Sequence, residues 1–106
     1  MNMDRQQILD NIQQVGRETL PPGSSLLLFG SQARGNANED SDWDLLILLD
    51  KSKISLNDYD VGYPFRELGW ELGEEINPQV YSKNEWNKYS FTPFYKNVEH
   101  DKLVLL

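Results

Sequence analysis

Hydrophobic positions along the chain follow first helical and then extended spacing. Residues 4–16 carry an apolar stripe at helical spacing, which predicts a first helix capped by Asp4. The stripe consists of Ile8, Leu9, Ile12 and Val15. Short apolar runs bounded by turn residues predict strands over 26–29 and 42–49. In the second run every residue after Asp44 is apolar, which is typical of a central strand covered on both faces.

The second half of the chain predicts a further alternation of elements. A 3.6-residue period over 57–74 predicts a helix with Pro64 in its first turn or at a kink. Residues 76–81 indicate a third strand, which Pro78 places at a sheet edge. The remaining signals are helix caps at Ser82 and Thr92 and a terminal apolar run over 103–106. A length of 106 residues predicts one domain, spanning residues 1–106.

Two aromatic features of this half allow different interpretations. One segment is dense in rings: Trp86, Tyr89, Phe91, Phe94 and Tyr95. It could dock a partner, or it could cover the open face of a small sheet. Trp70 stands between two leucines of the predicted helix, so we expect it to be partly buried.

The composition disfavours several kinds of chemistry. There are 17 acidic residues against 10 Lys and Arg, a formal net charge of −7, which disfavours a nucleic-acid groove and a polynucleotide acceptor. Without cysteine there is no disulfide, thiol catalysis or cysteine-ligated zinc, which fits a reducing cytoplasm. His100 is the single histidine, which disfavours Ser-His-Asp and poly-His sites. Carboxylates, hydroxyls, backbone amides and a few cations remain.

No segment predicts targeting to a membrane. The N-terminal segment is too polar for a signal peptide, and the longest apolar run, 45–49, is far shorter than the roughly 20 residues of a membrane helix. We therefore expect a cytoplasmic protein without a membrane partner.

The first candidate functional motif is Gly30-Ser31, directly after the first predicted strand. A glycine lets the backbone turn sharply and approach a ligand closely. If a helical turn begins at Ser31, its amides and hydroxyl point to one spot, as in phosphate sites. Arg34 could add a charge-assisted contact. The alternative is an ordinary turn.

The second candidate motif is Asp42-Trp43-Asp44, at the start of the central strand. Residues i and i+2 of a strand project from the same face, so the two carboxylates repel each other unless a cation neutralises them. Oxygen ligands suit magnesium or manganese. The alternative is that both aspartates lie in solvent at a loop end.

The two motifs together are more informative than either one. If the two strands are neighbours, a phosphate-binding turn lies beside a metal site, which is what nucleotidyl transfer requires. The string GSQARGNANEDSDWDLLILL resembles the minimal nucleotidyltransferase domain of the DNA polymerase beta-like nucleotidyltransferase superfamily. The resemblance implies an α+β fold, a small mixed sheet packed with helices.

The resemblance also implies roles for individual residues. Gly30 and Ser31 would hold the phosphates of a nucleoside triphosphate, assisted by Arg34, and Asp42 and Asp44 would ligate magnesium or manganese ions and carry catalysis. Such domains transfer a nucleoside monophosphate to an acceptor hydroxyl. AMP from ATP is the expected donor group. A HEPN-type protein in a toxin–antitoxin pair is one expected partner, and a second copy of the chain is another.

One position departs from the family pattern, which has a third carboxylate on the next strand. Counting back from the cap Ser82 places it at Gln79, a neutral amide. Glu74 and Glu75, at the preceding junction, could substitute if the chain folds toward the metals. Two functions therefore stay open: a metal-dependent nucleotidyltransferase, and a catalytically degenerate module that binds a nucleotide or a partner.

Overall fold

The computed structural model describes residues 3–38 and 40–106, and it shows one mixed sheet with helices on both faces. The strands are β1 (Ser25–Phe29), β2 (Trp43–Leu49), β3 (Ile76–Ser82) and β4 (Leu103–Val104), in the order β3-β2-β1-β4. The helices are α1 (Arg5–Thr19), α2 (Ser31–Arg34), α3 (Tyr63–Leu72), α4 (Lys83–Lys88) and α5 (Pro93–Asp101), with a 3-10 helix over Leu56–Gly62. This is the α+β fold that the resemblance implies.

The pairing of the strands brings three chain segments to one end of the sheet. Strand β1 runs antiparallel to β2 and pairs Phe29 with Asp44. Strand β3 runs parallel to β2 and pairs Asn77 with Asp44. The end of β1 and the starts of β2 and β3 therefore lie side by side. The prediction that β3 is an edge strand is confirmed.

The core has two parts, one on each face of the sheet. One face packs against α1 and α3 through Ile12, Leu45 and Phe65, which are fully buried. The other packs against α4 and α5 through Leu46 and Trp86. Because β2 separates the two parts, all its residues from 45 to 49 are buried, as its apolar run predicts.

Part of the aromatic segment covers the second face of the sheet, so the packing interpretation is confirmed for Trp86 and Tyr95. The Trp86 ring lies 4.9 Å from Tyr95 and 5.7 Å from Phe94, centroid to centroid. Tyr89, Phe91 and Phe94 stay exposed. The expectation for Trp70 is wrong: its side chain is 67% exposed, because Phe65 and the leucines of α3 occupy the opposite side of the helix.

Several predicted boundaries differ from the structure. The predicted helix over 57–74 is a 3-10 helix followed by α3, because Pro64 lacks an N–H and lies in the first turn of a new helix. Gly73 ends that helix in the left-handed conformation, with φ +71°. Strand β2 begins at Trp43, so Asp42 directly precedes it. Strand β4 is shorter than the predicted run over 103–106.

Within the described residues, no helix is long and apolar enough to cross a membrane.

Candidate functional site

Gly30 forms a sharp turn between β1 and α2. Its backbone has φ +75° and ψ −160°, a region that residues with a side chain rarely adopt. The Gly30 carbonyl accepts from the amides of Ala33 and Arg34 at 3.1 Å each. The amides of the first helical residues, beginning with Ser31, have no partner within the helix, and they lie at the end of the sheet where β2 begins.

The Asp44 carboxylate packs directly against Gly30. A Cβ built at position 30 would overlap Asp44 Oδ2 and would lie 3.3 Å from its Cγ. Glycine is thus required here both by the conformation and by the close approach of a carboxylate. The structure brings together the two motifs that the sequence separates by ten residues.

The two aspartates flank Trp43, whose indole is buried on the opposite face of the sheet. Both are half-buried. The Asp42 Oδ2 atom accepts a hydrogen bond from the Asn77 side chain at 3.2 Å, and Asn77 pairs with Asp44 in the sheet. Asp42, Asp44 and Asn77 therefore share one end of the sheet, next to the Gly30 turn.

Negatively charged side chains are concentrated at this end of the sheet. Burial, with the charge of Asp42 added, raises the pKa of Asp44 above its usual range, and the Arg34 guanidinium offsets part of this effect. The pKa of Glu75 is raised by contact with the Asp42 carboxylate, followed by the Asp42 charge, burial and Asp44. A cation would relieve this repulsion.

Arg34 lies close enough to influence Asp44 but forms its ion pair with Asp101. Its Nη1 atom is 3.1 Å from Asp101 Oδ2. Asp101 also contacts His100, whose ring is 88% exposed. Contact with His100 and then Arg34 lowers the pKa of Asp101, which keeps that carboxylate ionised. The sequence gives no signal for this pairing, because Asp101 is 67 residues away from Arg34.

The amide of β3 that lies beside the aspartates is Asn77, not Gln79. The register pairs Gln79 with Leu46, one step of two residues beyond Asp44, and Gln79 is exposed. Asn77 is the amide that stands beside the aspartates. Counting back from a helix cap fixes the strand face but not its register, and Asn77 and Gln79 lie on the same face.

The residues present fit a magnesium-type cation that is shared with a substrate. Among residues 3–38 and 40–106, no three His, Asp or Glu side chains are already arranged as a metal cage. Mg²⁺ is usually held by one or two carboxylates together with substrate phosphates rather than by an all-protein cage. Asp42 and Asp44, next to the Gly30 turn, offer such a carboxylate pair.

With this geometry, the class of the protein follows from comparison with known families. The chain belongs to the nucleotidyltransferase domain family, whose model matches residues 9–105. The resemblance seen in the sequence is thereby confirmed.

Particular relatives refine this result. A stretch of 37 residues is 49% identical to the protein adenylyltransferase MntA of Aphanizomenon flos-aquae (strain 2012/KM1/D3). That match covers 35% of the chain and a quarter (25%) of the relative's length. A toxin-antitoxin crystallised with AMP-PNP shares the fold, with a TM-score of 0.65, 17% identity, and coverage of 92% of this chain and 72% of that one.

Proposed function

We propose that residues 1–106 form a single metal-dependent nucleotidyltransferase domain that transfers AMP from ATP to a hydroxyl of a partner protein. The observation that supports the proposal is the pairing of Phe29 with Asp44, which brings the Asp44 carboxylate against Gly30 at the start of the Gly30-Ser31 turn. A phosphate cradle beside a carboxylate pair is the arrangement that nucleotidyl transfer needs.

The turn binds the part of the nucleotide that leaves. Outward-pointing amides of α2 and the Ser31 hydroxyl donate to the β- and γ-phosphates. Arg34, exposed and paired with Asp101, adds positive charge at the same side. These contacts orient the triphosphate and stabilise pyrophosphate as charge develops on it.

The carboxylates of Asp42 and Asp44 would hold Mg²⁺ or Mn²⁺, which when bound polarises phosphate oxygens as a Lewis acid. In the transfer step, the acceptor oxygen forms a bond to the α-phosphorus. The bond from the α-phosphorus to the oxygen bridging to the β-phosphate breaks, and pyrophosphate leaves with that electron pair. The proton of the attacking hydroxyl passes to a carboxylate of the site.

A protein acceptor is supported by the relatives and by charge. One relative is a protein adenylyltransferase, and a structural neighbour is a toxin-antitoxin. A formal net charge of −7 repels a polynucleotide acceptor. We therefore propose a partner of the toxin–antitoxin kind, with a HEPN-type protein as the first candidate to test and a second copy of the chain as the other.

The test is transfer of label from ATP. The chain is incubated with Mg²⁺, the candidate partner and ATP labelled at either the α- or the γ-phosphate. We expect the α-label alone to appear on protein, and Asp44→Asn to abolish it. Asp50→Asn, at the far end of β2, is the matched control and should label like the wild type. Labelling from the γ-phosphate, or undiminished labelling by Asp44→Asn, would contradict the proposal.

A second function is favoured by one observation: β3 carries no carboxylate, and the amide Asn77 stands beside Asp42 and Asp44. In this alternative the chain binds ATP or its partner without transferring AMP. ATP binding that is lost in Asp44→Asn, together with no α-label on any protein, would favour it.

A further inference from the structure

Helix α3 carries a pair of aromatic rings on the side that faces away from the sheet. The Trp70 side chain is largely exposed, and Tyr63 is exposed two helical turns earlier on the same side. Their rings meet edge to face, with centroids 5.8 Å apart and an angle of 82° between the planes. Tryptophan is highly buried on average, and aromatic residues are enriched at protein interfaces. The pair therefore indicates a surface that another molecule covers.

Acidic side chains surround this aromatic pair. Glu67 lies between Tyr63 and Trp70 along the helix, about one turn from each, and it is exposed. In the part of the chain that the structure describes, no ion pair involves an acidic residue of this segment. Residues 59–75 contain one arginine and five acidic residues: Asp60, Glu67, Glu71, Glu74 and Glu75.

Exposed rings among carboxylates fit a cationic protein segment. A guanidinium or ammonium group is attracted both to a carboxylate and to the face of an aromatic ring, and tryptophan attracts it most strongly. The same negative charge repels nucleic-acid backbones and anionic lipid surfaces. A second copy of the chain also carries a formal net charge of −7, which opposes self-association. The favoured occupant is therefore a different protein that presents arginine or lysine.

The outward face of α3 adjoins the candidate site. A surface pocket of about 420 Å³ is lined in part by Trp70 and Asn77. The Asn77 side chain in turn donates a hydrogen bond to the Asp42 carboxylate. A protein held on Trp70 therefore lies next to the end of the sheet where the two aspartates stand.

We propose that the outward face of α3, with Tyr63, Glu67 and Trp70 at its centre, docks a segment of the partner protein that is rich in arginine or lysine. The choice of a protein partner rests on the proposed function, whereas the docking itself does not require AMP transfer. A cation of the segment would stack on Trp70 and pair with Glu67, which brings the partner beside the site.

The first test measures the affinity for a defined probe by fluorescence anisotropy. The probe is a fluorescein-labelled helical peptide with arginine at every third or fourth position and alanine elsewhere, and its counterpart carries glutamine in place of arginine. We expect only the arginine peptide to bind, and Trp70→Ala to weaken its binding at least about fivefold and Glu67→Gln about threefold. The matched controls are Phe91→Ala, an exposed ring between α4 and α5, and Glu18→Gln, an exposed carboxylate of α1, and both should bind like wild type.

The second test locates the bound peptide by fluorine NMR of the chain labelled with fluorotryptophan. The chain has three tryptophans, and Trp43 and Trp86 are buried, so Trp70 is the one that is open to solvent. The arginine peptide should shift the Trp70 signal and leave the other two unchanged. A Trp70 signal that shifts with protein concentration alone would show that a second copy covers the face, and it would overturn the proposal.

Failure of this inference is distinguishable from failure of the proposed function. Arginine-peptide binding that is absent in the wild type, or equal in Trp70→Ala and Phe91→Ala, would overturn the docking surface whatever the transfer assay shows. In that assay, Trp70→Ala should label the partner less while binding ATP normally. If no protein receives the α-label, transfer is wrong, and the peptide results still decide the docking surface. Thermal unfolding shows whether each variant is folded, and Glu67→Gln keeps the test decisive if Trp70→Ala is not.

Discussion

Substituting Gly30 by alanine should both destabilise the protein and disable the site. The residue has φ +75° and ψ −160°, so any side chain there strains the backbone, typically by about 1–3 kcal/mol. The new methyl group would also overlap the Asp44 carboxylate. Gly35, with φ +80° and ψ +12°, is in the milder left-handed helical region and has nothing within 4 Å of a built Cβ, so it carries a smaller backbone cost and no overlap. Gly35→Ala is therefore the matched control.

A double-mutant cycle isolates the contact with Asp44. In Asp44→Ala the overlapping oxygen is gone, and the nearest remaining atom at that residue is Cβ, 3.5 Å from the built Cβ of position 30. Gly30→Ala should then retain only its backbone cost, which exceeds that of Gly35→Ala because ψ −160° at Gly30 is less accessible to alanine than ψ +12° at Gly35. In the wild-type background the cost should be larger by a coupling energy of about 1–2 kcal/mol, within the range seen for residues in contact.

The assay is urea unfolding of the wild type, the single variants and the double variant in EDTA, with titration of ATP and Mg²⁺ on each. Gly30→Ala should lose ATP binding, because the displaced Asp44 and turn no longer face each other, while Gly35→Ala should keep it. Additive free energies of unfolding in the cycle, or normal ATP binding by Gly30→Ala, would refute the idea that glycine is required for this approach.

Three further predictions concern the carboxylates. Mg²⁺ should stabilise the wild type by about 2.7 kcal/mol at a hundredfold excess over Kd, and Asp42→Asn should remove this stabilisation. In EDTA the variant should be no less stable than wild type. If thermal unfolding of Asp42→Asn still responds to Mg²⁺, the ion binds elsewhere. Asn77→Asp should lower the stability of the protein in EDTA and tighten its binding of Mn²⁺, because it sets a second charge beside Asp42. Gln79→Asp, at an exposed position farther along β3, should change neither quantity. Equal effects of the two substitutions would contradict the strand register. The pKa of Asp44 is raised above its ordinary value of 3.8, so its contribution to stability is present at pH values below 3.8 and is lost as pH rises through the raised pKa. Asp44→Asn should therefore flatten the dependence of the free energy of unfolding on pH in this range. An unchanged pH dependence in that variant would count against the shift.

The parts of the site that are contiguous in sequence could be predicted, and the part that depends on register could not. Gly30-Ser31 and Asp42-x-Asp44 each follow from local spacing, and their meeting depends on β1 and β2 being neighbours, which the structure shows. Which residue of β3 lies beside Asp44 depends on where Gly73 ends α3 and on how the chain then enters the strand. The alternation of side chains along a strand shows which residues share a face, but it does not show this register. The sequence therefore indicates Gln79 where the structure places Asn77.

Two connections of different kind place the site at one end of the sheet. Helix α2 has only four residues, too short to carry the chain back along the sheet, so β2 leaves from the end where β1 stops. The connection from β2 to β3 contains the 3-10 helix and α3, which return the chain to the starting end and make β3 parallel. A return without helices would start β3 beside Leu49, and its polar residues would meet Asp50 instead of Asp42. The convergence of Gly30, Asp42 and Asn77 thus follows from which connection contains a long helix, a feature readable from hydrophobic periodicity before any contact is known.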